Sequence, residues 1–168
     1  MRKQKGFSLI ELLIVVAIIL IIAAIAIPNL MRAKMSANDA SAAASERSII
    51  TGEVSYYADY PTIGYTSLLA LGGAPGVACV PATTTACLID STLAAGAKSG
   101  YNFASTALTA NAQGVMTQFL TSGWPVSQTT GTKAYCSVDD GVVRTDIPGN
   151  IGSITVYLTC QKLAPMAN

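Results

Sequence analysis

Glu11 is the one ionisable side chain in the twenty-one residues from Phe7 to Ile27, where Ser8 is the only other polar group. Gly6 stands five residues before it, and Arg2, Lys3 and Lys5 form a basic head before that. Two kinds of chemistry attach to this spacing. A glycine between a charged head and an apolar run lets a peptidase reach the backbone. Cleavage there would remove the head, keep the apolar run and convert the Phe7 nitrogen into a free cationic amine. A carboxylate in an apolar, membrane-like setting is costly unless it is paired, and so marks function. A rival cut exists: Ala24-Ile25-Ala26 has the A-x-A form that a signal peptidase reads before Ile27. The apolar run is, however, longer than the core of a secretory signal.

The other chemistry-bearing residues lie far downstream. Four cysteines, Cys79, Cys87, Cys136 and Cys160, are spaced 8, 49 and 24 residues apart. That matches no zinc-knuckle pattern. The even count suits disulfides in an oxidising compartment. The chain has no histidine, which excludes Ser-His-Asp and Cys-His pairs, histidine metal sites and haem attachment. No glycine-rich phosphate loop follows a strand. Asp139-Asp140 offers two carboxylates to a calcium ion, but Asp139-Asp140-Gly141 reads first as a hairpin turn. The site reading is therefore no catalytic residue, no metal and no cofactor.

These residues need elements to hold them. Twenty-one residues at 1.5 Å rise cross a hydrocarbon core of roughly 30 Å as one helix. The basic head favours a cytoplasmic N-terminus. Arg32 and Lys34 beyond the far end nearly cancel that bias, and the cysteines then place the bulk of the chain outside the inner membrane. Lys+Arg total 10 and Asp+Glu total 9. Removing Arg2, Lys3 and Lys5 leaves 7 against 9, a side-chain sum of −2. Neither balance suggests nucleic-acid binding.

The stretch from Gly6 to Val16 (Gly6-Phe7-Ser8-Leu9-Ile10-Glu11-Leu12-Leu13-Ile14-Val15-Val16), with Pro28 beyond it, resembles the type IV pilin and pseudopilin family at each of these positions. The resemblance is strong over Met1 to Pro28. It implies a leader, residues 1–6, cut after Gly6 by a prepilin peptidase, and an N-methylated Phe7. It also implies a transmembrane and polymerisation helix over residues 7–28, and self-assembly into a helical filament. Residues 29–168 then form a periplasmic globular domain that includes the second half of the helix. In staggered helices the Glu11 carboxylate of one subunit would meet the Phe7 amine of its neighbour; pairing within one subunit is the alternative. The hairpin-like run Tyr135 to Arg144 is a weaker match to bacterial pilin-like proteins. Four cysteines allow three pairings. The expected one is Cys79 with Cys87, closing a short loop, and Cys136 with Cys160, which pilins often use to staple their last strands. Each bond would contribute on the order of 3 kcal/mol in the chain-entropy picture.

Past Pro28 the helical pattern continues. Leu30, Ala33, Ala37, Ala40, Ala44, Ser48, Thr51, Val54 and Ala58 recur at spacings of three and four, which predicts a small, weakly apolar inner face. Arg32, Asn38, Glu46 and Glu53 fall on the opposite side. One helix is expected from Phe7 to Asp59, stopped by Pro61, with a bend or local melting at Pro28, where a backbone donor is missing. Thr66–Leu71 and Leu88–Ala95 read as short helical turns. Strands are expected at Tyr101–Ser105, Val115–Thr121, Lys133–Val138 and Val142–Thr145. Ile154, Val156, Leu158 and Cys160 alternate with Thr155, Tyr157 and Thr159, predicting a half-buried last strand. A helix followed by strands with short turns argues an α+β fold: a long N-terminal helix, its first half transmembrane, packed on an antiparallel sheet.

The function implied is a structural subunit of a type IV pilus, not an enzyme. It would be an inner-membrane single-pass precursor and later part of an extracellular filament. Its partners would be other copies of itself, the prepilin peptidase and the pilus assembly platform of the inner membrane. The alternative is a pseudopilin of a type II secretion system, and a third reading is a minor pilin for adhesion or DNA uptake. A chain beginning near Ala33 is expected to be a soluble monomer.

Overall fold

The protein is described by a computed structural model covering residues 7–146 and 152–166. Gly6 and the rest of the basic head lie outside the described residues. The chain divides into two compact units between Lys34 and Met35.

Helix α1, Leu9–Asp59, is 51 residues long and belongs to both units. In the first unit its side chains are exposed at nearly every position, Leu9, Ile14, Leu20 and Ile25 among them. Among the described residues it is the one helix long and apolar enough to cross a membrane. The backbone stays helical across Pro28. The local melting expected there is absent, because the helical hydrogen bonds on either side hold the turn despite the lost donor.

The second unit is built on a meander. Strands β1 (Ala97–Lys98), β2 (Tyr101–Ala110), β3 (Met116–Pro125), β4 (Ala134–Val138), β5 (Arg144–Asp146) and β6 (Ala164–Pro165) pair in chain order, all antiparallel. The β2–β3 turn is local chemistry. Asn111 Oδ1 accepts the Gln113 and Val115 amides at 2.9 and 3.0 Å, and Gly114 takes φ +81°. β2 and β3 then run ten residues each with Tyr101 opposite Pro125, longer than their alternation alone suggested.

The sheet is covered on both faces. From one side Ile49 and Tyr56 of α1 meet Tyr101, Phe103, Phe119 and Tyr135. On the other, Ile154 and Cys160 pack on Leu120, Ala134, Cys136 and Val138. Every residue of β4 is therefore buried. Full burial of each large apolar side chain contributes roughly 1.5–3 kcal/mol.

Three expectations are corrected here. The buried face of α1 is not the small one. Ala33, Ala37, Ala40, Ala44, Ser48, Thr51, Val54 and Ala58 are exposed, while Asp39, Ala42, Glu46, Ile49, Glu53 and Tyr56 are buried. Large apolar groups and the polar partners on the sheet choose the face. Asp39 accepts hydrogen bonds from the Tyr101 hydroxyl at 2.6 Å and the Thr132 amide at 3.0 Å.

Next, the last strand is not a strand. After the short helices α2, Leu68–Gly72, and α3, Ser91–Ala94, Tyr157–Lys162 is a further short helix, α4, and Val156 and Leu158 are exposed. The open side of β5 is filled by Ala164–Pro165. With no ladder partner left, the Tyr157–Lys162 backbone satisfies its own hydrogen bonds as a helix.

Finally, Asp139-Asp140-Gly141 does turn, the Gly141 amide donating to the Val138 carbonyl at 2.9 Å, but the hairpin connection is wider than the tight one expected. The register pairs Cys136 with Arg144 and leaves residues 139–143 as the connection. The Val142 amide donates to Asp140 Oδ1 at 3.0 Å, and Arg144 Nη1 donates to the same atom at 3.0 Å.

Gly64 tests how tightly the loop after α1 is fixed. Its φ is +88°, and an added Cβ would stand 2.0 Å from the Met116 carbonyl oxygen. Gly64→Ala is expected to destabilise the second unit by more than the roughly 1–2 kcal/mol of the left-handed backbone alone. A thermal melt of the variant no lower than that of the parent would contradict this packing.

Candidate functional site

Ser8 and Glu11 open α1 together. Glu11 Oε2 accepts the Ser8 backbone N–H at 2.9 Å, and Ser8 Oγ accepts the Ile10 N–H at 3.3 Å. This is a reciprocal cap of the Ser-x-x-Glu type, which satisfies donors that a helix start leaves unpaired. Ser8 was not singled out from the sequence, although Ser8-Leu9-Ile10-Glu11 carries the signal. An acid in the first turn is also favoured by the helix dipole.

Among the described residues nothing else around this cap is polar. Phe7 is 83% exposed, and Leu9, Leu12, Leu13, Val16 and Leu20 line a shallow groove along the helix. So large an exposed apolar surface is stable only in lipid or against other apolar surfaces. The structure thus places Phe7 and Glu11 at the start of one helix and Pro28 within it. Gly6 lies outside the described residues.

The cysteines form two pairs, Cys79–Cys87 and Cys136–Cys160, and no described cysteine is free. The second bond ties β4 to α4 rather than to a last strand. The Cys79–Cys87 loop is further held by Tyr56, whose hydroxyl donates to the Thr83 carbonyl at 2.6 Å.

Asp139 and Asp140 are already engaged. The Arg144 guanidinium grips both Asp140 oxygens and holds its carboxyl below the usual carboxylate range, and the Tyr157 hydroxyl donates to Asp139. Arg144 puts its positive charge where a cation would sit. Among the described residues no cluster of three acidic, histidine or cysteine side chains could hold a metal.

Comparison with known proteins concentrates on the same end of the chain. Residues 1–27 match the prokaryotic N-terminal methylation motif. A 90-residue stretch, 54% of the chain, is 41% identical to a Thermus thermophilus protein named type IV wide pilus major component PilA4, and spans 67% of it. A 57-residue stretch, 34% of the chain, is 40% identical to the type IV major pilin protein PilA of Myxococcus xanthus, and spans 26% of that protein. No solved structure matches the chain.

Proposed function

This chain belongs to the type IV pilin family, and from that premise we propose that it is a structural subunit of a type IV pilus that polymerises through α1. The observation that carries the proposal is the exposed apolar surface of α1, which lies within the stretch that matches the methylation motif. That surface serves twice: as a membrane anchor before assembly and as a contact between copies afterwards. The family's members are structural subunits, not enzymes. The pseudopilin alternative is not favoured, since the relatives are named as pilus components.

In this reading residues 1–6 are a leader removed by the prepilin peptidase after Gly6, and Phe7 becomes the methylated N-terminus. Residues 7–28 hold the precursor in the inner membrane as a single span, until the assembly platform there extracts it. Residues 29–168 form the globular part on the outer side. Pro28, short of one backbone donor, is the position at which α1 bends most readily during that transfer. Glu11 pairs with the Phe7 amine of a neighbouring subunit.

Electron microscopy of cells with and without the gene tests the assignment. Loss of filaments on deletion, restored by the gene in trans, supports it. Unchanged filaments on deleted cells, with this chain absent from purified filaments, would overturn it. Processing has its own readout. Mass spectrometry of filament protein is expected to find a mature chain starting at methylated Phe7. A chain starting at Met1 or Ile27 would contradict the cleavage.

A further inference from the structure

Glu46 lies in the middle of the buried face of α1, in the second unit, with none of its surface exposed. Neither carboxyl oxygen has a hydrogen-bond partner among the described residues; the nearby Thr121 hydroxyl of β3 donates to the Ser137 carbonyl instead, at 3.4 Å. Its space is made by a missing side chain: a Cβ on Gly123 of β3 would stand 2.9 Å from Glu46 Oε1 and 2.9 Å from the Phe103 ring. Two turns on, Glu53 is equally buried but has partners. The Ser105 hydroxyl of β2 donates to Oε1, and the Thr66 amide donates to Oε2 at 3.0 Å.

An isolated ionised carboxylate in such a place is far less stable than the neutral acid. We propose that Glu46 is a proton-binding site built into the contact between α1 and the sheet: the folded subunit holds a proton there that the unfolded chain releases, so acid tightens this contact and alkali loosens it.

The groups facing the site support the neutral form. On α1 they are Asp39, Arg47, Glu53 and Tyr56, with Asp39 engaged by Tyr101 and Thr132 and Arg47 exposed. β2 contributes Tyr101 and β4 contributes Tyr135, both neutral phenols pushed upward, chiefly by burial. β3, Met116–Pro125, has no titratable side chain. Arg144 of β5 is committed to Asp140, and Lys98 of β1 to Asp90. Burial pushes the Glu46 carboxyl up to about 8, opposed only by the nearby Thr121 hydroxyl. It pushes Glu53 to about 7, offset in part by Ser105 and Thr66.

The sign follows from linkage. Both folded-state values lie above the ordinary 4.5. Well below that value the folded and unfolded chains are both protonated, and neither group costs stability. As pH rises the unfolded chain loses these protons first. The folding equilibrium constant then falls up to roughly tenfold per pH unit for each proton the folded state retains. The decline is steepest from about 5 to 7, where both groups count. It continues at up to about tenfold per unit from 7 to 8 on Glu46 alone, and levels off above. Asp140, held low by Arg144, acts in the opposite direction and only in stronger acid.

The full chain in detergent micelles, unfolded with urea and followed by Trp124 fluorescence, reads this directly, since Trp124 is the chain's only tryptophan and adjoins Gly123 on β3. The wild type is expected to lose stability between pH 7 and 8. Glu46→Gln, a neutral mimic of the same shape, should be level there, and Glu53→Gln should keep the decline. Infrared spectra of Glu53→Gln in heavy water should show a protonated carboxylic acid at pH 7 that fades by pH 9. That variant removes the other buried acid and keeps Glu46, so the measurement decides even if Glu46→Gln does not fold. Wild-type stability level or rising between pH 7 and 8, a Glu46→Gln profile that declines like the wild type, or no protonated acid at pH 7 would each overturn the proposal.

Discussion

Cells carrying Glu11→Ala are expected to accumulate cleaved subunit while displaying few or no filaments. Two physical roles converge on this carboxylate. Locally, Glu11 caps the first turn of α1 by accepting the Ser8 N–H at 2.9 Å, a contribution of about 0.5–2 kcal/mol. Between subunits, a charge held in an apolar bundle costs about 2.5–3.5 kcal/mol by insertion scales unless it meets a counter-charge. In the proposed filament the Phe7 amine released by cleavage would supply one. The charge effect would then be the larger, acting in every subunit along the filament. Glu11→Gln separates the roles, because glutamine can still cap the Ser8 amide but carries no charge. Equal loss of filaments in both variants would identify the charge pair. Normal filaments with glutamine and few with alanine would identify the cap. Immunoblots add the third case: precursor accumulating in Glu11→Ala cells would mean that Glu11 serves peptidase recognition. Cleaved subunit with normal filaments in both variants would remove Glu11 from assembly altogether.

The double variant Cys136→Ser/Cys160→Ser is expected to lower the melting temperature of the second unit by roughly 10 °C or more. The bond closes a 24-residue separation, for which the chain-entropy relation gives about 3.5 kcal/mol. It also pins α4 over the sheet face formed by Leu120, Ala134 and Val138, and both sulfurs are fully buried. Freed of the bond, residues 152–163 keep Ile154, a few half-buried neighbours and the Tyr157–Asp139 hydrogen bond to hold them there. A loss of this size is a large fraction of the 5–15 kcal/mol typical of a domain. The companion Cys79→Ser/Cys87→Ser pair should cost less, about 2.5 kcal/mol for a separation of 8, and the exposed loop residues Val77 and Val80 leave little packing to lose. Thermal melts under oxidising conditions rank the two. If removing the Cys79–Cys87 bond costs more, the anchoring role assigned to Cys136–Cys160 is wrong.

The features legible in the sequence are those that neighbours along the chain decide. The apolar run from Phe7 to Ile27 must be solvated by lipid or by its own kind, wherever the rest of the chain goes. Tyr60-Pro61 ends α1 through backbone sterics, and Asn111–Gly114 turns β2 into β3 through its own hydrogen bonds. Tertiary structure decided what several valid local patterns left open. Two stripes of α1 repeat with helical period. The one with Ile49 and Tyr56 won, because only it fills the sheet's core and brings Asp39 and Glu53 to donors on the sheet and the Thr66 loop. Ile154–Cys160 alternates like a strand, but strand and helix differ there only in whether a ladder partner exists, and Ala164–Pro165 had taken the open side of β5. The acids on α1 read as a solvated face for the same reason. Nothing within a few residues of Glu46 reveals that Gly123, seventy-seven positions away, leaves the space that buries it.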